Sequence, residues 1–566
     1  MTETELSTLD SHDGQTQDTK GRPESAQPII TNPQPESTYL EGTKLYLMLL
    51  GVGATVFLMM LDQTIVVTAI PAITNDFNSI GDIGWYGSAY LLCVAALQPL
   101  TGKIYQYYNT KIIFICGVLI FELGSLISAL AVDSAMFIVG RAISGAGGGG
   151  LVTGFLSILA ASVPLDKRPF YLGLVMGLSS IGIVLGPVLG GVFTQHITWR
   201  FCFYFNLPFG AITLLIIALL RIPNAAAHAD QKPTLKESFS RLDIIGFTIF
   251  APGVVMLLFG LDWGGIKYEW KSATIIGLFC GAAGTLAIFL VWEKFKGANA
   301  MIPIAMVKKQ VVICSSLTMI LSQGSLLVIT YFLPLWFQAA KGASPTMSGV
   351  YFLPSVGSQI IGSVVTGKLT SKFGFYTQWA IAGTAMTSLA SGLFTILKPS
   401  SGPGLWVTFQ LISGFSRGLT VQQPITALQA SLPKSDYPVG NAFLMFSQIL
   451  GGAIFLSLGQ TIFNSQIITA LLKYAPEVDV QAVLSVGATD FRSVVKPESV
   501  AGVMLAYNKA ITTVFYLGAG AAAAGFCTTW GMGFGNLITL REEEKAAAEK
   551  AAEKSPTPVV EAGKRV

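Results

Sequence analysis

Residues 177–210 read GLSSIGIVLGPVLGGVFTQHITWRFCFYFNLPFG, and this stretch decides how the rest of the chain is read. It is apolar enough to lie in a membrane, yet glycine recurs at 177, 182, 186, 190 and 191, with Pro187 among them. Gly182, Gly186 and Gly190 fall four apart and so line one face of a helix, where small residues let two helix backbones approach closely in lipid. Pro187 removes one backbone donor and favours a kink. Spacing alone leaves two readings open: a static helix contact, or a smooth face that slides and seals.

Composition places this stretch in a larger frame. The chain has 566 residues, of which only 12% are charged, against about 25% in an average soluble domain. With a mean hydropathy of +0.61, it is a polytopic membrane protein and not a soluble enzyme. A net charge of +4 with no basic cluster gives no reason to expect nucleic acid. Cys93, Cys116, Cys202, Cys280, Cys314 and Cys527 all lie in apolar runs, so free thiols are expected and not a disulfide framework. The histidines, His12, His196 and His228, lie outside the expected spans, and no metal or other cofactor is expected.

A membrane-spanning helix needs about 20 mostly apolar residues. Fourteen windows qualify, near 45–69, 85–101, 112–131, 135–157, 171–194, 201–220, 242–260, 273–292, 311–336, 348–367, 378–397, 404–430, 440–463 and 510–536. The second is interrupted by Gln98-Pro99 and the twelfth contains Arg417. Residues 1–44 form a polar tail with no cleavable signal peptide, so span 1 is expected to act as the insertion signal. An even span count puts both termini on one side. If that side is the cytoplasm, its loops hold fifteen Lys/Arg and the opposite loops nine, four of them in one long outer loop near 464–509. The excess of Lys/Arg in short loops marks the cytoplasmic side.

Thr101-Gly102-Lys103-Ile104 ends span 2, and Thr366-Gly367-Lys368-Leu369 ends span 10. The repeat pairs span n with span n+8. The expected fold is therefore all-α: a six-helix bundle over 45–220, a polar linker at 221–241, two inserted helices over 242–292, a cytoplasmic loop at 293–310, a second six-helix bundle over 311–536 and a charged tail at 537–566. Two similar halves around a central site is a transporter pattern.

Asp62, Glu122 and Arg141 are ionisable groups inside spans. Each costs about 2.5–3.5 kcal/mol on insertion scales, which makes an intramembrane charge a functional candidate. Counting about 1.5 Å per residue from the span ends puts all three roughly 10–14 Å below the outer surface, in one layer. Two carboxylates beside a guanidinium can bind and release a proton as their surroundings change, or can form a static pair that fixes helix packing. Arg417 has no acidic partner in the second half, so it faces a water-filled cavity or an anionic substrate group. Gln323, Gln410, Gln422 and Gln448 are, with Arg417, candidates for a substrate cavity lining, and helix packing is the competing role for each.

Gly145, Gly147 and Gly150 satisfy G-x-G-x-x-G, and Gly362, Gly367 and Lys368 nearly satisfy the P-loop spacing. Both lie in apolar spans with no preceding strand, so neither is a phosphate cradle. Without a nucleotide site, pumping must draw on an ion gradient.

The region from about 45 to 536 resembles the major facilitator superfamily, and in particular its fourteen-span drug:proton antiporter branch. Leu61-Asp62-Gln63-Thr64-Ile65-Val66, ending in Ala69-Ile70-Pro71, is similar to the span 1 motif. Arg141 with Gly145 and Gly147 is similar to the span 4 motif, whose arginine is associated with proton coupling. Gly182, Gly186, Pro187, Gly190 and Gly191 resemble the antiporter motif of span 5, and Trp199-Arg200 through Gly210 resembles the start of span 6. Residues Tyr331–Gln338 and Asn441–Gly452 are similar to signatures of spans 9 and 13. The loop after span 2 departs from the pattern, with Gln106 and Asn109 where Asp and Gly are usual. In the family that loop helps lock the inward and outward states.

The resemblance is best to fungal exporters of toxins and secondary metabolites. It implies a monomeric, proton-coupled efflux pump for a small organic molecule, in the plasma membrane or, alternatively, a vacuolar or vesicular one, with proton coupling at Asp62, Arg141 and Glu122. An uptake symporter and a transport-dead sensor are the alternatives.

Overall fold

The computed structural model describes residues 39–79, 82–224 and 241–554. Most of the expected tail at 1–44, most of the linker at 221–241 and the end of the charged tail lie outside the described residues. Among the described residues no strand forms; only two isolated bridges occur. Helices are what lipid demands, because every backbone donor and acceptor must be paired within the segment that crosses.

The first half comprises α1 (Gly42–Phe77), α2 (Ile83–Tyr107), α3 (Thr110–Ala129), α4 (Ser134–Ser162), α5 (Arg168–His196) and α6 (Phe201–Leu219). Two inserted helices follow, α7 (Ile244–Trp263) and α8 (Ala273–Lys296). The second half comprises α9 (Gln310–Lys341), α10 (Pro345–Phe373), α11 (Thr377–Phe394), α12 (Pro403–Thr420), α13 (Tyr437–Tyr474), α14 (Val480–Val494) and α15 (Val500–Thr529). A tail helix, α16 (Leu537–Lys554), closes the described chain.

Twelve of these helices are long and apolar enough to cross a membrane. The other two expected spans are helical but fall outside that set. The eleventh forms α11. The twelfth is interrupted after Thr420, where Pro424 supplies no backbone donor to continue the helix; a separate short helix, Gln423–Ser431, follows. Gln98-Pro99 leaves α2 continuous. The expected outer loop at 464–509 is mostly helical: α13 runs on to Tyr474, and α14 buries Val483, Ala488 and Phe491 in the core of the second half.

The inserted pair packs together, and α7 lies against α2 and α13, where Trp85 meets Phe259 and Phe250 meets Phe446 at ring-centroid distances of 4.9 and 5.3 Å. Asp243 caps α7 by accepting from the Gly246 amide. It also accepts from Trp292 Nε1 at 2.9 Å and the Met301 amide at 3.0 Å, which ties α7 to α8 and the loop beyond. The outer face of α8 leaves Ile276, Ile288, Leu290, Val291 and Phe295 exposed, as a lipid-facing helix does.

Chain polarity defines two ends of the bundle. The tail end carries the start of α1, the α2–α3 and α4–α5 connections and α16; there the Leu40 amide donates to the Ser162 carbonyl. At the far end Arg200 Nη1 pairs with Asp76 Oδ2 at 2.8 Å and Trp199 Nε1 donates to the same oxygen at 3.1 Å, joining the end of α1 to the start of α6.

Candidate functional site

In the core of the first half, Arg141 Nη1 lies 2.6 Å from Asp62 Oδ2, with both side chains removed from solvent. Arg141 Nε donates to the Tyr86 carbonyl at 3.2 Å, and its guanidinium stands 4.7 Å from the Tyr90 ring centroid and 5.7 Å from that of Phe203. Asn206 Nδ2 reaches Asp62 Oδ1 at 3.1 Å and Ser125 Oγ at 3.2 Å. Four helices, α1, α2, α4 and α6, thus converge on one ion pair, and Asn206 links it to α3.

Glycine brings α4 that close. A Cβ at Gly145 would stand 3.0 Å from Tyr90 Cα, and one at Gly147 2.9 Å from Phe121 Cα. The G-x-G-x-x-G stretch is therefore helix interior wedged between α2 and α3. Glu122 occupies the same face of α3 as Ser125, one turn away. Its carboxylate is buried against the Cα of Gly210, and neither oxygen has a hydrogen-bond partner among the described residues. Asp62 and Arg141 are thus bonded directly, whereas Glu122 is not bonded to Arg141.

The glycine face of α5 packs on α1. Added Cβ atoms would stand 2.7 Å from the Phe57 carbonyl oxygen at Gly182, 2.9 Å from the Ile65 amide at Gly186 and 2.5 Å from the Ile65 carbonyl oxygen at Gly190. Gly191 faces open space and takes no part, since one residue further on turns the side-chain vector about 100° away. α5 runs unbroken through Pro187.

The other end of α5 meets the second half. At Gly173 a Cβ would lie 2.7 Å from Gln422 Oε1, and at Gly367 on α10 it would lie 2.5 Å from the Pro169 carbonyl oxygen. Across the bundle, a Cβ at Gly102 on α2 would meet Ala442 Cβ of α13 at 2.7 Å. The two Thr-Gly-Lys copies thus mark two places where the halves touch at the tail end. Arg168 Nη1 to Gln429 Oε1 (3.3 Å) and Gln106 Nε2 to Asp436 Oδ1 (3.3 Å) add polar contacts between the halves there.

A cavity in the second half, about 540 Å³ including its open side, is lined by Gln323, Gln359, Arg417 and Gln448 among others. Gln448 Nε2 donates to Gln323 Oε1 at 3.1 Å. Gln410 and Gln422, expected at a cavity, do not line it: Gln410 donates to the Tyr351 carbonyl and Gln422 to the Ser363 carbonyl, binding α12 and the segment after it to α10. A long amide side chain inside a helix pair finds a carbonyl before it finds a cavity.

The sequence pattern of the Major Facilitator Superfamily matches residues 52–456. The chain belongs to the major facilitator superfamily. This facilitator is 43% identical over 541 residues to the "MFS-type transporter pigP" of Monascus ruber, covering 95% of each chain. It is 44% identical over 537 residues to the "Efflux pump mlcE" of Penicillium citrinum, covering 94% of this chain and 97% of the relative. Among solved structures it resembles the proton:xylose symporter XylE, with a TM-score of 0.57, 13% identity and coverage of 89% and 99%. It also resembles the human organic anion transporter MFSD10, with a TM-score of 0.53, 14% identity and coverage of 85% and 100%. At those identities the likeness is one of fold. The facilitator is a membrane transporter and not an enzyme.

Two residues of the facilitator's unusual α2–α3 connection now have places. Gln106 makes the contact to Asp436 described above, and Asn109 caps α3 by accepting from the Lys111 and Ile112 amides. Sequence reasoning missed Asn206 as a partner of Asp62. Its one signal was a lone amide at the start of an apolar span.

Proposed function

We propose that this facilitator is a proton-coupled efflux transporter that exports a small organic compound, a toxin, drug or secondary metabolite. The observation that carries the coupling is the buried Asp62–Arg141 pair with Asn206 on its second oxygen. Protonating Asp62 weakens its hold on Arg141 and frees α1 and α4 to shift; deprotonation restores the pair. Glu122, buried and unbonded a turn from Ser125, is a second proton acceptor in the same layer. The names of the relatives support the direction and the cargo class.

In this reading α11 and α12 also cross, giving fourteen spans with both termini in the cytoplasm, and the protein works as a monomer in the plasma membrane, or alternatively in a vacuolar or vesicular one. The tail end is then cytoplasmic, and the glycine contacts of Gly102, Gly173 and Gly367 hold the conformation that is closed to the cytoplasm. Opening those contacts and closing the far end returns the empty carrier. The test is export from proteoliposomes with and without an imposed pH gradient. Concentrative export that needs the gradient supports the proposal. Full activity without it overturns the coupling.

A further inference from the structure

The described chain buries three arginines, and two have their hydrogen-bonding demands met. Arg141 has Asp62 and the Tyr86 carbonyl. Arg168 has the Val163 and Ala160 carbonyls and Gln429. Arg417 differs. It lies near the end of α12, 7% exposed, and its Nε and Nη2 are both buried with no acceptor among the described residues. The second half cannot supply a carboxylate from its own crossing helices. Between residues 310 and 536 the acids are Asp436, Glu477, Asp479, Asp490 and Glu498. Asp436 precedes α13 at the tail end, and the other four lie between the end of α13 and the start of α15. Burying an uncompensated guanidinium is costly, and such a group inside a membrane marks a site by default.

Arg417 lines the second-half cavity, and most of the polar groups around it are already occupied. Gln323 and Gln448 bond each other, Gln359 donates to Ser180 Oγ, and Thr387 Oγ1 pairs with Ser416 Oγ. Met319, Leu326 and Ala522 give the remaining wall an apolar surface. Arg417 is therefore the one charged group among the chamber's lining residues, and its Nε and Nη2 are pressed into the wall without an acceptor among the described residues. Guanidinium matches a carboxylate or similar oxyanion with two parallel hydrogen bonds.

We propose that Arg417 is the anchor for the acidic group of an amphipathic organic anion, so that the cargo is an apolar molecule carrying a carboxylate or an equivalent oxyanion. This rests on the export reading above and names the substrate class. Cargo binding completes the hydrogen bonding of Arg417, while the skeleton lies against Met319, Leu326 and Ala522.

The test is binding to the purified full-length protein in detergent, with no gradient, using 1-pyrenebutyrate and 4-biphenylacetate, each beside its methyl ester. The wild type is expected to bind both acids about tenfold or more tighter than the esters, a preference of about 1.4 kcal/mol. Arg417→Gln is expected to bind acid and ester alike, and Arg417→Lys to keep part of the preference. Wild-type protein that binds acids no better than esters overturns the proposal, and this arm stands even where Arg417→Gln does not fold. So does a folded Arg417→Gln protein that retains the preference. Failure of proton coupling leaves the binding result intact; gradient-driven export with no acid preference leaves coupling intact and removes only this inference.

Discussion

Arg141 on α4 and Asp62 on α1 meet at 2.6 Å, with Asp62 at least fifteen residues from either end of α1 and both side chains shut off from water. A buried pair of this kind is weak evidence for stability, because desolvation offsets most of the attraction, whereas removing one partner is strongly destabilising. In the proposed cycle, one proton on Asp62 changes that balance.

Asp62→Asn keeps the shape but removes the charge and replaces one of the two acceptor oxygens with a donor. We predict that gradient-driven export falls at least about tenfold, a change of about 1.4 kcal/mol in effective coupling, while substrate exchange without a gradient continues. Asp62→Ala strands Arg141 and is expected to cost about 3–5 kcal/mol of stability. Efflux and exchange in proteoliposomes, with thermal unfolding of both variants, read these outcomes. Gradient-driven export surviving in Asp62→Asn would remove the proton role.

Gly190 and Gly191 are neighbours with opposite surroundings. A methyl at Gly190 meets backbone, the Ile65 carbonyl oxygen, at 2.5 Å, whereas one at Gly191 meets nothing within 4 Å. Gly190→Ala is predicted to force α5 from α1 at about 1–3 kcal/mol, the usual range for overpacking, and to lower export. Gly191→Ala should be neutral in both thermal unfolding and transport. Equal effects from the two would show that the face does not pack as described.

Gln106 and Asp436 come from opposite halves and touch at 3.3 Å. Replacing both with cysteine and bridging them with a short bifunctional thiol reagent should stop transport, and reduction should restore it. Continued transport by the bridged protein would mean that the halves do not part at this end during the cycle.

The tail helix α16 spans both halves. Arg541 pairs with Asp166 at 2.9 Å, Glu544 pairs with Lys434 at 3.1 Å, and Leu537 is fully buried beside Leu165, Tyr376 and Met532. The ion pairs are partly exposed, so Arg541→Ala should cost no more than about 1 kcal/mol. Leu537→Ala should cost about 2–5 kcal/mol, as large-to-small changes in a core do. Thermal unfolding ranks them; a larger loss for Arg541→Ala would reverse the assignment of what holds α16 down.

Much of this was legible from residues alone because lipid imposes simple rules. Apolar length placed the helices, and the four-residue glycine spacing at 182, 186 and 190 marked a close helix contact without naming α1 as its partner. Depth counting brought Asp62 to Arg141. What stayed hidden follows from the same rules. Hydropathy windows see total apolarity and not sidedness, so amphipathic α14 read as loop. Asn206 bonds residues 144 and 81 positions away, and nothing local announces such partners. The glutamines were placed by type, but Gln323 and Gln448 satisfy each other, whereas Gln410 and Gln422 satisfy carbonyls.

Gly102 and Gly367 stand at matching places in the two halves, each presenting bare backbone to the opposite half. A joint built from interlocked Leu or Phe would have to withdraw every side chain from its socket before parting. At these two glycines no side chain is socketed in the opposite half, so in the proposed cycle parting there breaks only the neighbouring polar contacts of Arg168 and Gln106. The same bareness makes closure demanding: one added methyl at either glycine is a wedge in the door.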